Sequence, residues 1–173
     1  VIAMVKAFSY GSGSTEVANL LEKQHIDYLA VAYADEGVAL RKDGIKTPIM
    51  VMNPDAVDFD RMQEYHLEPE IYSLQILQQL IEKIGQHEMD IHIKLETGMN
   101  RLGFVESELE ELIAVLHQHK NIHVKTVFSH LAASEDEQLD SFTKEQISIF
   151  KRLSETFIAS FNYPIKKHLL NSS

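Results

Sequence analysis

The sequence predicts an α/β fold of the (β/α)8 TIM-barrel type, with about seven of the eight strands present. Two observations carry this expectation. Short runs rich in Val, Ile and Leu recur along the chain: VIAMV, YLAVA, PIMVM, EIYSL, IHIKL, HVKTVF and IKKHLL. Segments with apolar residues at helical spacing lie between most of them, such as TEVANLLEKQ, ESELEELIAVLHQH and FTKEQISIFKRLSETFI. Strands joined by connections too long for hairpins pair in parallel through right-handed crossovers. Intervals of roughly 20 to 40 residues suit a barrel better than a doubly wound sheet, although periodicity by itself admits both.

The elements follow in order. VIAMV opens the chain as a strand and leaves through Lys6 and SYGSGS. Ser14 or Thr15 is placed to cap the helix that follows. YLAVA and PIMVM are the next two strands, after which Pro54 and Asp55 open a short helix. EIYSL is the fourth strand, and the helix after it ends at Gly85 and the polar HEMD. IHIKL exits into Lys94, Glu96 and TGMNRLG, HVKTVF into SHLAASEDE, and IKKHLL into NSS. No solenoid repeat, low-complexity segment or linker interrupts residues 1–173, which read as a single domain. The abrupt apolar start and the stop just after an apolar run make both ends look cut.

Composition narrows the function classes. Hydrophobic residues make up 45% of 173 and charged residues 24%, an ordinary globular balance. Acidic residues outnumber basic ones 26 to 16, for a net charge of -10, so a phosphate backbone is repelled and nucleic acid is not an expected partner. No apolar run approaches the roughly 20 residues of a membrane span, and no basic start leads into a signal-like core. A cytoplasmic location is therefore expected. With no cysteine, thiolate chemistry and disulfides are excluded.

In a barrel of this type the chemistry sits at the C-terminal ends of the strands, and here those exits are polar. Lys6 has two readings: a charge snorkelling at the rim, or an amine that forms an imine with an aldehyde, since desolvation supplies the neutral nucleophile. Alternation along KLETGMNRLGF puts Lys94 and Glu96 on one face, with Arg101 carried over the same mouth by the turn. Arg101 offers a fork for carboxylate, phosphate or phenolate, or else pairs at the surface with the acidic ESELEEL segment. His130 ends the sixth strand, where an imidazole could pack beside a flat ring or simply be a satisfied histidine. Asn171, Ser172 and Ser173 follow the seventh strand, where they either cap the next helix or bind phosphate, roles that are compatible. His92, His123 and His168 form no metal motif, so no metal is expected.

Taken in order, MVKAFSYGSGS, IHIKLETGMNRLGF, FSHLAASED and LLNSS resemble the alanine racemases across the whole chain. The Lys-x-x-x-Tyr-Gly-x-Gly and TGMxRLG elements together are specific to that family. The resemblance implies the pyridoxal 5′-phosphate-binding barrel, with Lys6 holding the cofactor and serving as one of two acid/base groups. Tyr10 would contact the cofactor phosphate, and Asn171 and Ser172 would complete the phosphate end. Arg101 would bond the phenolic oxygen and His130 would pack near the pyridine ring. Lys94 matches a lysine that many members carry as a carbamate. The resemblance further implies a homodimer, alanine as substrate and a role in supplying D-alanine for peptidoglycan.

The second base in that family is a tyrosine from the partner's C-terminal β domain, which this chain lacks, as it lacks the eighth strand. The chain as given is therefore not expected to racemise alanine alone. Phe8 and Ser12 depart from the common pattern VKANAYGHG, which has Asn and His there. The resemblance also admits a barrel that follows a peptidoglycan amino-acid ligase in one polypeptide. The rivals are a pyridoxal-phosphate homeostasis protein of the same barrel, against which TGMNRLGF argues, and a metal-dependent barrel hydrolase.

Overall fold

A computed structural model describes residues 1–134 and 136–170, and they fall into two units. The first contains residues 1–70 and 79–89, the second residues 71–78 and 90–173, so the division passes through β4, α5 and β5.

In the first unit the strands are β1 (Ile2–Met4), β2 (Tyr28–Val31), β3 (Ile49–Val51) and β4 (Leu67–Ile71). They pair in chain order and in parallel, with Met4 opposite Ala30, Val31 opposite Val51 and Val51 opposite Pro69. Every residue of β2 and β3 is buried, because a parallel strand with helices packed on the sheet has no wet face, which explains their unbroken apolar runs. The connections are α1 (Lys6–Tyr10), α2 (Ser14–Lys23), α3 (Ala34–Lys42) and α4 (Phe59–Glu64), with α5 (Leu74–Ile84) following β4. α3 packs tightly on β4: a Cβ on Gly37 would lie 2.9 Å from a Leu67 methyl carbon.

Arg41 ties together the loops that feed β3 and β4. Its guanidinium donates to the carbonyls of Tyr65 at 3.0 Å, Ile45 at 2.9 Å, Thr47 at 2.7 Å and His66 at 3.1 Å. One planar fork thus gathers four backbone carbonyls from the segments that lead into β3 and β4.

In the second unit β5 (Met89–Lys94), β6 (Ile122–His130) and β7 (Lys166–Leu170) again lie in chain order. β6 and β7 are parallel, with Phe128 opposite His168. α6 (Leu109–Gln118) buries Leu109, Leu112 and Leu116, and α7 (Asp140–Ala159) buries Gln146, Phe150, Leu153 and Phe157, the stripes that the helical spacing predicts. Chain-ordered strands in each unit are those of a barrel, since a doubly wound sheet reverses its order at the switch point.

Three details differ from the sequence expectation. Ser14 and Thr15 do not cap α2: Gly13 holds the cap position with no side-chain bond, Ser14 Oγ donates to the Val5 carbonyl at 3.0 Å and Thr15 Oγ1 to Asp43 Oδ2 at 2.5 Å. The fourth strand ends rather than begins within EIYSL, since Leu74 opens α5; Pro69 disguises the true strand. Met89 and Asp90 of HEMD already belong to β5. The short helix at Pro54 and Asp55 is as expected, with Asp55 Oδ1 accepting from the Val57 N–H at 3.1 Å.

Candidate active site

The β1–β2 ladder stops just beyond β1, where the Val5 N–H donates to the Ala30 carbonyl at 2.8 Å. Lys6 comes next, half-buried, and the chain turns with the opposite hand from an ordinary helix. Ala7, Phe8 and Ser9 have φ/ψ of 51°/49°, 55°/37° and 49°/45°, and Tyr10 has φ 54°. For residues with a Cβ this conformation costs roughly 1–2 kcal/mol each, so four in a row require outside support.

Part of that support comes from within the turn. The Val5 carbonyl accepts from the Ser9 N–H at 3.3 Å, Ser9 Oγ at 3.4 Å and Ser14 Oγ at 3.0 Å. The Phe8 carbonyl accepts from the N–H groups of Gly11 at 3.0 Å and Gly13 at 3.1 Å. Gly11 and Gly13, at φ 97° and 87°, then release the chain into α2 in a conformation that residues with a Cβ avoid. A third element contributes: Glu36 Oε1, from the first turn of α3, accepts from the Ala7 N–H at 2.7 Å. Lys6 heads the turn and Tyr10 ends it, its side chain 71% exposed.

The second unit carries the other charged and aromatic candidates. Lys94 ends β5 with only 5% of its surface exposed, and its Nζ stands 5.7 Å from the centroid of the Phe128 ring. His168, from β7, stacks on the same ring, with centroids 4.8 Å apart and planes 7° from parallel. Thr126 Oγ1 links two imidazoles, lying 2.8 Å from His92 Nδ1 and 3.4 Å from His168 Nε2. Burial, and secondarily the neighbouring His92, pull the His168 pKa down to about 4, so its ring is neutral at physiological pH. Alternation places His92 and Lys94 on one face of β5, and register places Thr126, Phe128 and His168 together across β6 and β7.

The segment 95–104 is a closed excursion from the end of β5. The Phe104 N–H donates to the Lys94 carbonyl and the Glu96 N–H to the Phe104 carbonyl, each at 2.9 Å. Inside it, the Glu96 carboxylate accepts from the backbone N–H of Gly98 and, at 3.3 Å, from that of Arg101. Glu96 therefore shapes the loop that presents Arg101, whose side chain is exposed. In the acidic segment after this loop, Glu106 pairs with Arg152 and Glu108 accepts from the Val105 N–H.

At the end of β6, His130 is half-buried and its carbonyl accepts from Gln146 Nε2 at 3.2 Å. Gln146 is fully buried on α7, and its Oε1 accepts from the Ala132 N–H at 3.0 Å. One amide thus clamps the chain on both sides of Leu131. Below it, Ser129 Oγ donates to the Leu95 carbonyl at 2.7 Å and lies 2.8 Å from Thr97 Oγ1.

Of the residues expected from sequence, Lys6 and Tyr10 share the first strand exit, and Lys94, Arg101 and His130 share the second unit. Asn171, Ser172 and Ser173 lie outside the described residues. Sequence reasoning missed Glu36 and the layer of Thr126, Phe128 and His168. An acidic residue in the first turn of a helix that follows a strand would have been a signal for Glu36.

The whole chain, residues 1–173, matches the family model described as alanine racemase, N-terminal domain. An alanine racemase of Thermodesulfovibrio yellowstonii is 35% identical over 99% of this chain and 46% of its own length. One of Clostridium tetani is 37% identical over 87% of this chain and 40% of its own. Among solved structures, an alanine racemase of Clostridium difficile 630 superposes with a TM-score of 0.89 at 32% identity, covering 99% of this chain and 45% of that one. The chain spans somewhat less than half the length of these relatives.

Proposed function

This chain belongs to the family of alanine racemase N-terminal domains, and from that premise we propose that it is the cofactor-bearing barrel part of an isomerase interconverting L-alanine and D-alanine with pyridoxal 5′-phosphate. One observation carries the proposal. Lys6 follows the buried Val5 at the end of β1 and heads a braced left-handed turn, with Tyr10 at the other end of the same turn.

The donor set suits the cofactor, which presents an aldehyde, a phosphate, a phenolic oxygen and a flat ring. Lys6 would hold the aldehyde carbon; Tyr10, Asn171 and Ser172 would hold the phosphate. Arg101 would donate to the phenolic oxygen, and His130 would lie beside the ring. When bound, pyridoxal phosphate supplies an electron sink for the negative charge left at the substrate α-carbon. The Lys6 amine then takes or returns a proton at that carbon on one face. Inversion needs a second acid/base group on the opposite face, which the family resemblance assigns to a tyrosine of a partner subunit.

Lys94 is proposed to carry a carbamate, formed when its neutral amine adds to carbon dioxide and releases a proton. The modification would place a negative charge on the buried Lys94 side chain, which by the family resemblance would orient Arg101. Carbon-13 NMR of the protein equilibrated with labelled bicarbonate should show a carbamate carbon, and Lys94→Ala should remove it. On the family resemblance, the enzyme is proposed to act as a cytoplasmic homodimer that supplies D-alanine for peptidoglycan.

The decisive experiment is borohydride reduction of the full-length gene product incubated with pyridoxal phosphate, followed by peptide mapping and a racemisation assay. The label is expected on Lys6, and Lys6→Ala should lose both label and racemisation. Equal labelling of Lys6→Ala would overturn the assignment.

A further inference from the structure

Glu36 stands where β1 and β2 part. The last rung of their ladder is the bond from the Val5 N–H to the Ala30 carbonyl. The next donors up the two chains both end on Glu36: Ala7 N–H on Oε1 and Ala32 N–H on Oε2, each at 2.7 Å. Oε2 also accepts from the Tyr33 N–H at 3.2 Å, the bond that an acidic residue at this helix position ordinarily makes to its own cap. Capping α3 needs only that oxygen. The other reaches across 29 residues of sequence to the amide directly after Lys6.

That amide opens the left-handed turn, and its position bears on chemistry. Ala7 is the first of the four positive-φ residues, so fixing its N–H fixes where the backbone departs from the strand direction. The carboxylate is half-buried, and both oxygens receive backbone donors, so its place is set by main chain rather than by mobile side chains. We infer that Glu36 is a positioning residue for Lys6: it replaces the missing ladder rung and locks the turn whose head carries the amine. This rests on the proposed role of Lys6 but invokes a residue outside the cofactor set.

The test uses Glu36→Asp, Glu36→Gln and Glu36→Ala in the full chain, with two readouts. One is the rate at which pyridoxal phosphate with borohydride labels Lys6. The other is amide hydrogen exchange at Ala7 and Ala32 without any cofactor. Asp, one methylene shorter, can still cap α3 but cannot span both amides, so Tm should stay near wild type while Ala7 exchange quickens and Lys6 labelling slows, each at least tenfold. Glu36→Gln keeps the shape and one acceptor oxygen, so it should fold and lie between wild type and Glu36→Ala.

A Glu36→Asp protein that labels Lys6 and protects Ala7 like wild type would overturn the inference, because a helix cap alone would then explain Glu36. If wild type is not labelled at Lys6 while Ala7 exchange still depends on Glu36, the bracing stands and the role of Lys6 falls.

Discussion

Gly103 passes so close to Glu96 that a Cβ built on it would lie 2.6 Å from the Glu96 nitrogen and 2.7 Å from the Leu95 carbonyl carbon. These are backbone atoms held in place by the two bonds that pin Phe104 to the end of β5, and they cannot retreat as a side-chain tip could. Gly103 also has φ 132°. Gly103→Ala should therefore cost about 3 kcal/mol, from backbone strain and overlap together. Gly85→Ala is the control: φ there is 55° with nothing near the added carbon, and the cost should be about 1 kcal/mol. Urea denaturation of both variants checks the pair, and equal losses would show that the close approach does not matter.

Gln146 offers a second test, this time of the clamp at the end of β6. Its amide bonds the His130 carbonyl and the Ala132 N–H from a fully buried position. Gln146→Leu preserves volume but removes both bonds, and because Ala132 is exposed and His130 half-buried, water can partly replace them, so stability should fall by about 1 to 2 kcal/mol. Gln146→Glu keeps the acceptor toward Ala132 but turns a carboxylate oxygen toward the His130 carbonyl, so it should be no better at neutral pH. A Gln146→Leu protein as stable as wild type by thermal melting would exclude the clamp.

The contrast between these residues and the strands shows what a sequence makes visible. β2 and β3 could be read directly, because burial on both faces imposes an apolar identity on every position. Lys6 and Lys94 stood out because a charge at the end of an apolar run is locally odd, and Arg101 because the turn TGMNRLG follows such a run. The left-handed turn was hidden, since nothing in Ala7-Phe8-Ser9-Tyr10 favours positive φ and the bonds that impose it come from Val5 and Glu36. Gln146 was equally hidden, an ordinary helix-surface residue until its distant partners are known, and the acid in the first turn of α3 signals Glu36 as a cap but not its reach to Ala7. β4 was misplaced because Pro69 argues locally against the strand that its neighbours form.

Arg41 is held by geometry that no other cation reproduces. Lysine keeps the charge but cannot reach the carbonyls of Tyr65, Ile45, Thr47 and His66 at once. Arg41→Lys should cost about 2 kcal/mol and Arg41→Met somewhat more, through the bonds to these carbonyls that are lost. Hydrogen exchange should also quicken in the segments entering β3 and β4 before it does in β2. A fully stable Arg41→Lys would show that charge alone suffices.

His168 gives the stability an acid limb whose sign can be worked out. Its folded pKa of about 4 lies below the usual 6.5, so the unfolded chain takes up the proton first as pH falls. The stabilisation from keeping this ring neutral is complete above about pH 6.5 and is lost between there and about pH 4, at most about 3 kcal/mol in all. Burial of the ring sets the direction and His92 adds to it, while the Phe128 face and the Thr126 hydroxyl against the ring offer no counter-charge. His168→Phe keeps an aromatic ring against Phe128 and removes the titration. Denaturant midpoints from pH 7 to pH 4.5 should fall more steeply in wild type than in His168→Phe, and parallel slopes would mean that His168 is not the group lost to acid.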